Sequence, residues 1–334
     1  MVTETLDLEA LEPRKVHRLW ITLAANGLGQ PESIPVMVAR GGKPGQTVGL
    51  TAALHGNELN GIPVVHRLFS RIDCKTLKGN IVALPAVNVV GLHALRRQFV
   101  ERFDLNHRFP GSPEGNVADV YVHRLLTRII KNFDALLDLH TASFGRENTL
   151  YVRADMSEPR TATMAYLQRP QIIVHNPPHD GTLRGAAAAL GIPAITVEIG
   201  DANLFQERYI KRTLLGVRAV LMELGQIPRR PLAEGPAPLI CRSSKWIYSD
   251  GGGLQTVVPQ LGEMVAQGEI LARRVNVFGD LLAEIRSPNA GVVVGRSTHP
   301  VVRTGSRVVH LGELAEPGDT HILVRGDSGD LVTH

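Results

Sequence analysis

Thr47 to Arg67 reads TVGLTAALHGNELNGIPVVHR, and this stretch decides the fold class. Val48 to Leu54 is an apolar run of strand length with little alternation, the pattern of a strand buried on both faces of a parallel sheet. The run stops at His55-Gly56-Asn57-Glu58, and Leu59, Ile62, Val65 and Phe69 then recur at helical spacing. The chain therefore goes strand, tight turn, helix. A histidine and a glutamate sit at the turn, where open α/β sheets collect ligands. HxxE alone is a common pairing. A turn histidine beside a solvated helix-cap glutamate explains it as well as a metal site does, so the rest of the chain has to decide.

Working outward, similar runs follow. Asn80 to Val89 is a buried strand with Asn88 near its end, and Asp134 to His140 (DALLDLH) is another, ending in His140. Ala194 to Ile199 (AITVEI) places Glu198 near its carboxyl end, and an acid inside such a run is expensive unless paired or functional. Asp138 and His140 are two apart, so on a strand they share a face; a carboxylate beside a metal histidine is the usual supporting arrangement. Helices are expected over Asn116 to Lys131, Gly181 to Leu190 and Phe205 to Leu224. Val16 to Leu23 and Ile34 to Ala39 predict antiparallel strands at a sheet edge. Leu150 to Arg153 and Gln171 to Val174 predict short strands, and His175 to Asp180 a proline-rich loop.

Gly91 to Asn116 is long for a structureless loop and carries Arg96, Arg97, Arg102, His107 and Arg108. Phe99, Phe103, Leu105 and Phe109 anchor it, which favours a functional segment. Its arginines suit a small anion, because guanidinium grips carboxylates bidentately; a solvated basic loop is the bland alternative.

Pro228 to Pro238 is the clearest linker, so three segments are expected: 1–227, the linker 228–238, and 239–334. Beyond the linker, helical periodicity gives way to short β-type runs punctuated by glycine, the pattern of a small all-β domain. That segment resembles the barrel-sandwich fold of biotinyl and lipoyl carrier domains. Arg286 to Gly291, where a carrier's modified lysine would fall, contains none, so a structural or substrate-gating role is expected.

With 334 residues the chain is long enough for a large core and two domains. Its 36 basic and 32 acidic residues leave a net charge of +4, with no polybasic arm, so nucleic acid is not expected as a partner. No apolar run reaches membrane-spanning length. The two cysteines, Cys74 and Cys241, form no CxxC, and MVTETLDLEALEPRK has no apolar signal core. A reducing cytoplasm is expected. A homo-oligomer through apolar surface on the β domain stays open.

His55, Glu58 and a distant His140 make a three-ligand set that leaves one position for water, the pattern of catalytic zinc. The ligand types do not exclude cobalt or manganese. Glu198 is a separate carboxylate able to take a proton from that water. HGNE, DLNHRFPG, LDLH and TVEIG, in that order, resemble the succinylglutamate desuccinylase and aspartoacylase family, a branch of the zinc carboxypeptidase fold. The resemblance covers about Thr47 to Leu224, and bacterial members also carry a β domain. It implies a mixed, mostly parallel sheet with helices on both faces. It further implies one Zn2+ on His55, Glu58 and His140, Glu198 as general base and acid, and Asn106 on the substrate carboxylate. The family reads DLNRxFPG, whereas here His107 follows Asn106 and Arg108 comes next; either would meet the substrate. An upstream arginine is also implied, with Arg96 and Arg97 both candidates. The expected activity is hydrolysis of a small, anionic N-acyl amino acid or related N-acyl amine. A peptide-cutting metallocarboxypeptidase is the nearest rival, and a zinc-dependent binding protein without catalysis is a rival of another class.

Overall fold

The computed structural model describes residues 1–178, 181–231, 235–326 and 329–333. Parts of the expected 175–180 loop and of the 228–238 linker lie outside them. A long mixed sheet runs through the molecule. Its first half is built from β1 (Val2–Thr3), β2 (Lys15–Ala25), β3 (Pro31–Arg40), β4 (Lys43–Ala52), β5 (Lys78–Leu84), β6 (Ala135–His140), β7 (Arg146–Asn148), β8 (Leu150–Ala154), β9 (Ile172–His175) and β10 (Ala194–Ile199). Between them lie α1 (Gly61–Phe69), α2 (Val89–His93), α3 (Val117–Arg128), α4 (Pro159–Leu167) and α5 (Leu183–Ala189); α6 (Glu207–Glu223) follows β10. The strand order is β1-β2-β3-β5-β4-β6-β10-β8-β9. The four central strands, β5, β4, β6 and β10, are parallel, while β2 and β3 form the expected antiparallel hairpin near the edge.

Both faces of the central strands are covered, which is why their sequences read as unbroken apolar runs. On one face, Leu50, Leu137 and Val197 pack against Val64 and Leu68 of α1, Ala162 of α4 and Leu214 and Val217 of α6. On the other, Leu136 and Ala194 pack with Tyr121 and Leu125 of α3 and Leu183 of α5. Leu137 and Leu139 point to the first face, so Asp138 and His140 share the second with Leu136. Registers align Thr51 with Asp138 and Glu198 with His140, so three parallel strands end side by side.

Past residue 238 come β11 (Leu239–Tyr248), β12 (Gly253–Val257), β13 (Met264–Val265), β14 (Ile270–Val275), β15 (Leu281–Arg286), β16 (Gly291–Ser297), β17 (Val301–Val302), β18 (Arg307–Leu314), β19 (Leu323–Arg325) and β20 (Leu331–Thr333). This part is all-β. β11 pairs parallel with β9, so the first sheet simply continues as β9-β11-β18-β16-β13. A second sheet, β15-β14-β12-β17, faces it across Leu271, Val293, Val308 and Leu311. The β19–β20 hairpin returns to the first half, where Leu323 and Leu331 pack on the helical core and Leu323 N–H donates to the Met156 carbonyl. Cys74 and Cys241 are free and buried. Among the described residues, no helix is long and apolar enough to cross a membrane.

Candidate metal centre and cleft

His55 and Glu58 occupy the turn between β4 and α1. The turn is tight because Gly56 lies against the backbone of α2: a Cβ there would come within 2.0 Å of the Gly91 carbonyl carbon. Asn60 fastens it from below, donating to the Ile199 carbonyl at 2.7 Å and accepting from Gln206 N–H at 2.8 Å. Glu58 is therefore not a solvated cap; it is 1 % exposed.

His140, at the end of β6, meets this turn. Nδ1 of His55 is 2.9 Å from Glu58 Oε1, Nδ1 of His140 is 2.9 Å from Glu58 Oε2, and the two Nδ1 atoms are 3.3 Å apart. Behind the rings, His55 Nε2 lies 3.1 Å from Asp104 Oδ1 and His140 Nε2 lies 2.8 Å from Asp138 Oδ2. Asp138 also accepts the Thr51 hydroxyl at 2.6 Å. An ionised carboxylate can only accept, so each ring carries its proton on Nε2 and turns its Nδ1 lone pair inward. Two lone pairs and a carboxylate then converge on one point. A cation resolves that repulsion, and a tetrahedral ion with bonds of about 2.0–2.1 Å sets neighbouring donors about 3.3 Å apart, which these residues fit. Without an ion, protons take its place. Burial would lift the Glu58 carboxyl, but the two imidazoles outweigh it and hold it well below its ordinary value. Burial would keep His140 neutral, but Asp138 and Glu58 push it well above its usual value.

Glu198 stands on the neighbouring strand. Asn148 Nδ2 donates to its Oε2 at 3.4 Å, and Arg153 Nε is 3.9 Å from its Oε1. Burial holds its carboxyl above the ordinary range; His140 opposes that shift and Glu58 adds to it. Triad and Glu198 open on a cleft of about 340 Å³.

Of the loop residues singled out in the sequence, Arg97 reaches the centre. It donates to Glu58 Oε1 at 3.1 Å, to Ser143 Oγ at 2.6 Å and through Nε to Asp104 Oδ2 at 2.9 Å. Ser143 in turn donates its hydroxyl to Glu58. Arg96 turns away to the Phe99 carbonyl, 3.3 Å distant, and does not line the cleft. Asn106 lines it, and its Oδ1 accepts Leu183 N–H at 2.9 Å, which fixes the amide. His107 lies at the rim, its side chain 66 % exposed. Arg108 stacks over Phe103 at 4.3 Å, lies 3.6 Å from Asp119, and is off the cleft. Asn88 also serves indirectly: it caps α2 and donates to the Arg97 carbonyl at 3.3 Å.

Other cleft residues had no legible signal in the sequence. Asp104 orients His55 as Asp138 orients His140, and only its place in DLN hinted at that. Arg146, Asn148 and Arg153 come from β7 and β8, and Trp246 and His310 from the distant β11 and β18. Burial, reinforced by Arg153, Arg146 and Arg307, drives His310 well below its usual value, so it is neutral. Its Nε2 is 2.8 Å from Ser244 Oγ, and its ring stacks on Trp246 at 5.1 Å. The link between halves is β7. It pairs with β16 through Ser297–Arg146, Arg296–Glu147 and Gly295–Asn148, and Arg296 forms an ion pair with Glu147. A Cβ at Gly295 would lie 2.3 Å from Asn148 Oδ1, so any larger residue there must displace the Asn148 side chain.

With this geometry in view, residues 44–224 match the model of the succinylglutamate desuccinylase/aspartoacylase catalytic domain. The N-alpha-acetyl-L-2,4-diaminobutyric acid deacetylase of Halomonas elongata is 26% identical over 301 residues, covering 85% of this chain and 86% of that protein. The succinylglutamate desuccinylase of Pseudomonas aeruginosa is 29% identical over 178 residues, 47% of this chain and 52% of that protein. Among solved structures, the product-bound ectoine utilization protein EutE (DoeB) from Ruegeria pomeroyi superposes with a TM-score of 0.82 at 22% identity, over 90% of this chain and 97% of that one. A succinylglutamatedesuccinylase/aspartoacylase from Rhodobacter sphaeroides gives 0.82 at 24% identity, over 93% and 98%. At these identities the two structures speak to the fold alone.

Proposed function

The chain belongs to the succinylglutamate desuccinylase/aspartoacylase family, and from that premise we propose that it is a zinc-dependent hydrolase of the amide bond in a small N-acylated amino acid or related N-acyl amine. The observation that carries this is the convergence of His55 Nδ1, Glu58 and His140 Nδ1 beside the partly buried Glu198, which is not one of the three. The three residues would hold one Zn2+, with cobalt or manganese not excluded by the donors. When bound, the ion supplies Lewis acidity toward water and the acyl carbonyl.

The remaining work falls to the protein's own groups. Glu198 takes a proton from the attacking water and passes it to the leaving amine; its raised carboxyl is matched to that exchange. Arg97 places a cation beside the centre where negative charge develops on the acyl oxygen. Asn106, through Nδ2, and His107, at the rim, orient the substrate carboxylate. Asp104 and Asp138 fix the rings. Trp246 and His310 close the far wall, and a cleft of about 340 Å³ suits a small molecule better than a peptide. This supports a deacylase over the peptide-cutting carboxypeptidase reading. In this account 1–227 is a carboxypeptidase-like catalytic domain and 239–334 a β domain that walls its cleft. Two buried free cysteines fit a reducing cytoplasm.

The test is primary-amine release from a panel of N-acyl amino acids and N-acyl diamines, with zinc-loaded and chelator-stripped protein. Release that requires the metal is expected. No release from any member, with zinc confirmed bound, overturns the reading.

A further inference from the structure

A second pocket of about 480 Å³ opens beside the inner cleft and shares Arg97, His107 and Arg146 with it. Its outer wall includes Phe144, His299 and Arg307. Arg146 stands at the junction of the two. Its Nε donates to the Ser143 carbonyl at 2.6 Å, and its guanidinium carbon lies 5.6 Å from the centre of the Trp246 ring. The guanidinium of Arg307 lies at the same 5.6 Å from that ring and 6.0 Å from Tyr248.

Around the cleft, arginine is matched by acid: Arg97 by Glu58 and Asp104, Arg153 by Glu198, Arg296 by Glu147. Arg146 and Arg307 break this pattern. Among the described residues neither has a carboxylate within ion-pair distance, although they converge on one aromatic ring. Arg146 is half-buried; burial, then Arg307 and Arg97, weaken its hold on its proton, while the more distant Glu58 and Glu198 oppose them without cancelling the shift. Two adjacent cations with spare N–H donors, one of them half-buried, are unfavourable unless an anion joins them.

We propose that Arg146 and Arg307, packed against Trp246, form an anion subsite for a carboxylate that the substrate carries away from the scissile amide. The proposal rests on the deacylase reading for the word substrate only; the subsite itself stands on the two arginines. It gives the β domain a binding role, since Arg307 and Trp246 both come from it. The carboxylate belongs either to the acyl group or to the amino-acid side chain.

The protein has two tryptophans, so Trp20→Phe leaves Trp246 as the single emitter. Succinate titrated into zinc-loaded protein should give a saturable change in Trp246 emission, with succinamide silent. Arg307→Gln should raise the succinate Kd about tenfold, as loss of one charge-assisted pair does. Arg307 is exposed, so this variant tests the idea even if Arg146→Gln folds poorly. No saturable change, or a change that Arg307→Gln leaves intact, overturns the proposal. Kinetics identify the source of the carboxylate: N-succinyl against N-pentanoyl substrates probe the acyl side, and N-acetylglutamate against N-acetylglutamine the amine side. In one pair Arg307→Gln should shift the charged-to-neutral KM ratio about tenfold; an unchanged ratio in both counts against the subsite. A succinate response without hydrolysis of any amide would sink the deacylase reading and leave the subsite standing.

Discussion

Glu198 shows what the general-base role proposed for it would cost. Its carboxyl is raised above the ordinary range by burial first, so it holds a proton more tightly folded than unfolded. Stability therefore falls as pH rises from the ordinary glutamate value, about 4.3, through the raised folded value. In metal-free protein, Glu198→Gln should melt at or above the wild-type temperature at pH 7, with the gap closing as pH drops toward 4; thermal melts across that range check this. On the zinc-hydrolase reading, the same variant should still bind zinc and lose about 10²–10⁴-fold in turnover, the usual share of a general base. Asp104→Asn and Asp138→Asn should each weaken zinc binding roughly 10–100-fold, read by competition with a chelating dye. His55, His140 and Glu198 were legible because each stands at or near the end of an apolar run, where a polar residue has no packing excuse, and Glu58 only through its place in the turn after His55. Arg97 could not be told from Arg96 in the sequence. Their separation depends on a local backbone turn that sends Arg96 to the Phe99 carbonyl, and side-chain type carries no trace of it.

Among elements, β7 is the short strand with the largest leverage. It carries Arg146 and Asn148, and Asn148 touches Glu198. Gly295→Ala on β16 would drive a methyl into Asn148. Such overpacking costs about 1–3 kcal/mol, and a drop in kcat should accompany the stability loss. In a double-mutant cycle with Asn148→Ala the activity losses should fall short of additive, because both act through one contact; full additivity would separate Gly295 from Glu198. Three residues with no apolar pattern cannot announce a strand, so β7 was invisible, whereas the long buried strands β4, β6 and β10 were plain from their lack of alternation.

For the whole molecule, the change to all-β patterning past residue 238 was legible, but the continuity of the sheet across it was not. Pairing of β11 with β9 depends on edges meeting in space, and both edges read as ordinary strands. Tyr151, Ile172 and Val174 are buried beneath Cys241, Val292 and Val294. A chain ending at Ile227 would bare that patch and an unpaired edge; it should aggregate, as size-exclusion chromatography would show, where the full chain stays soluble. Burial pushes the Cys241 thiol up to about 12. A thiol reagent should therefore label neither cysteine in the native protein and both after denaturation.

The pairing of β7 with β16 spans 149 residues, and this sets an order of events during synthesis. His55, Glu58 and His140 leave the ribosome early, and Glu198 soon after. Trp246 follows Glu198 by 48 residues, Gly295 by 97 and His310 by 112, and Arg146 and Asn148 wait for them. A nascent chain can thus own every atom of the His55–Glu58–His140 cluster before it owns a cleft, and the cleft is complete only once β18 has been translated.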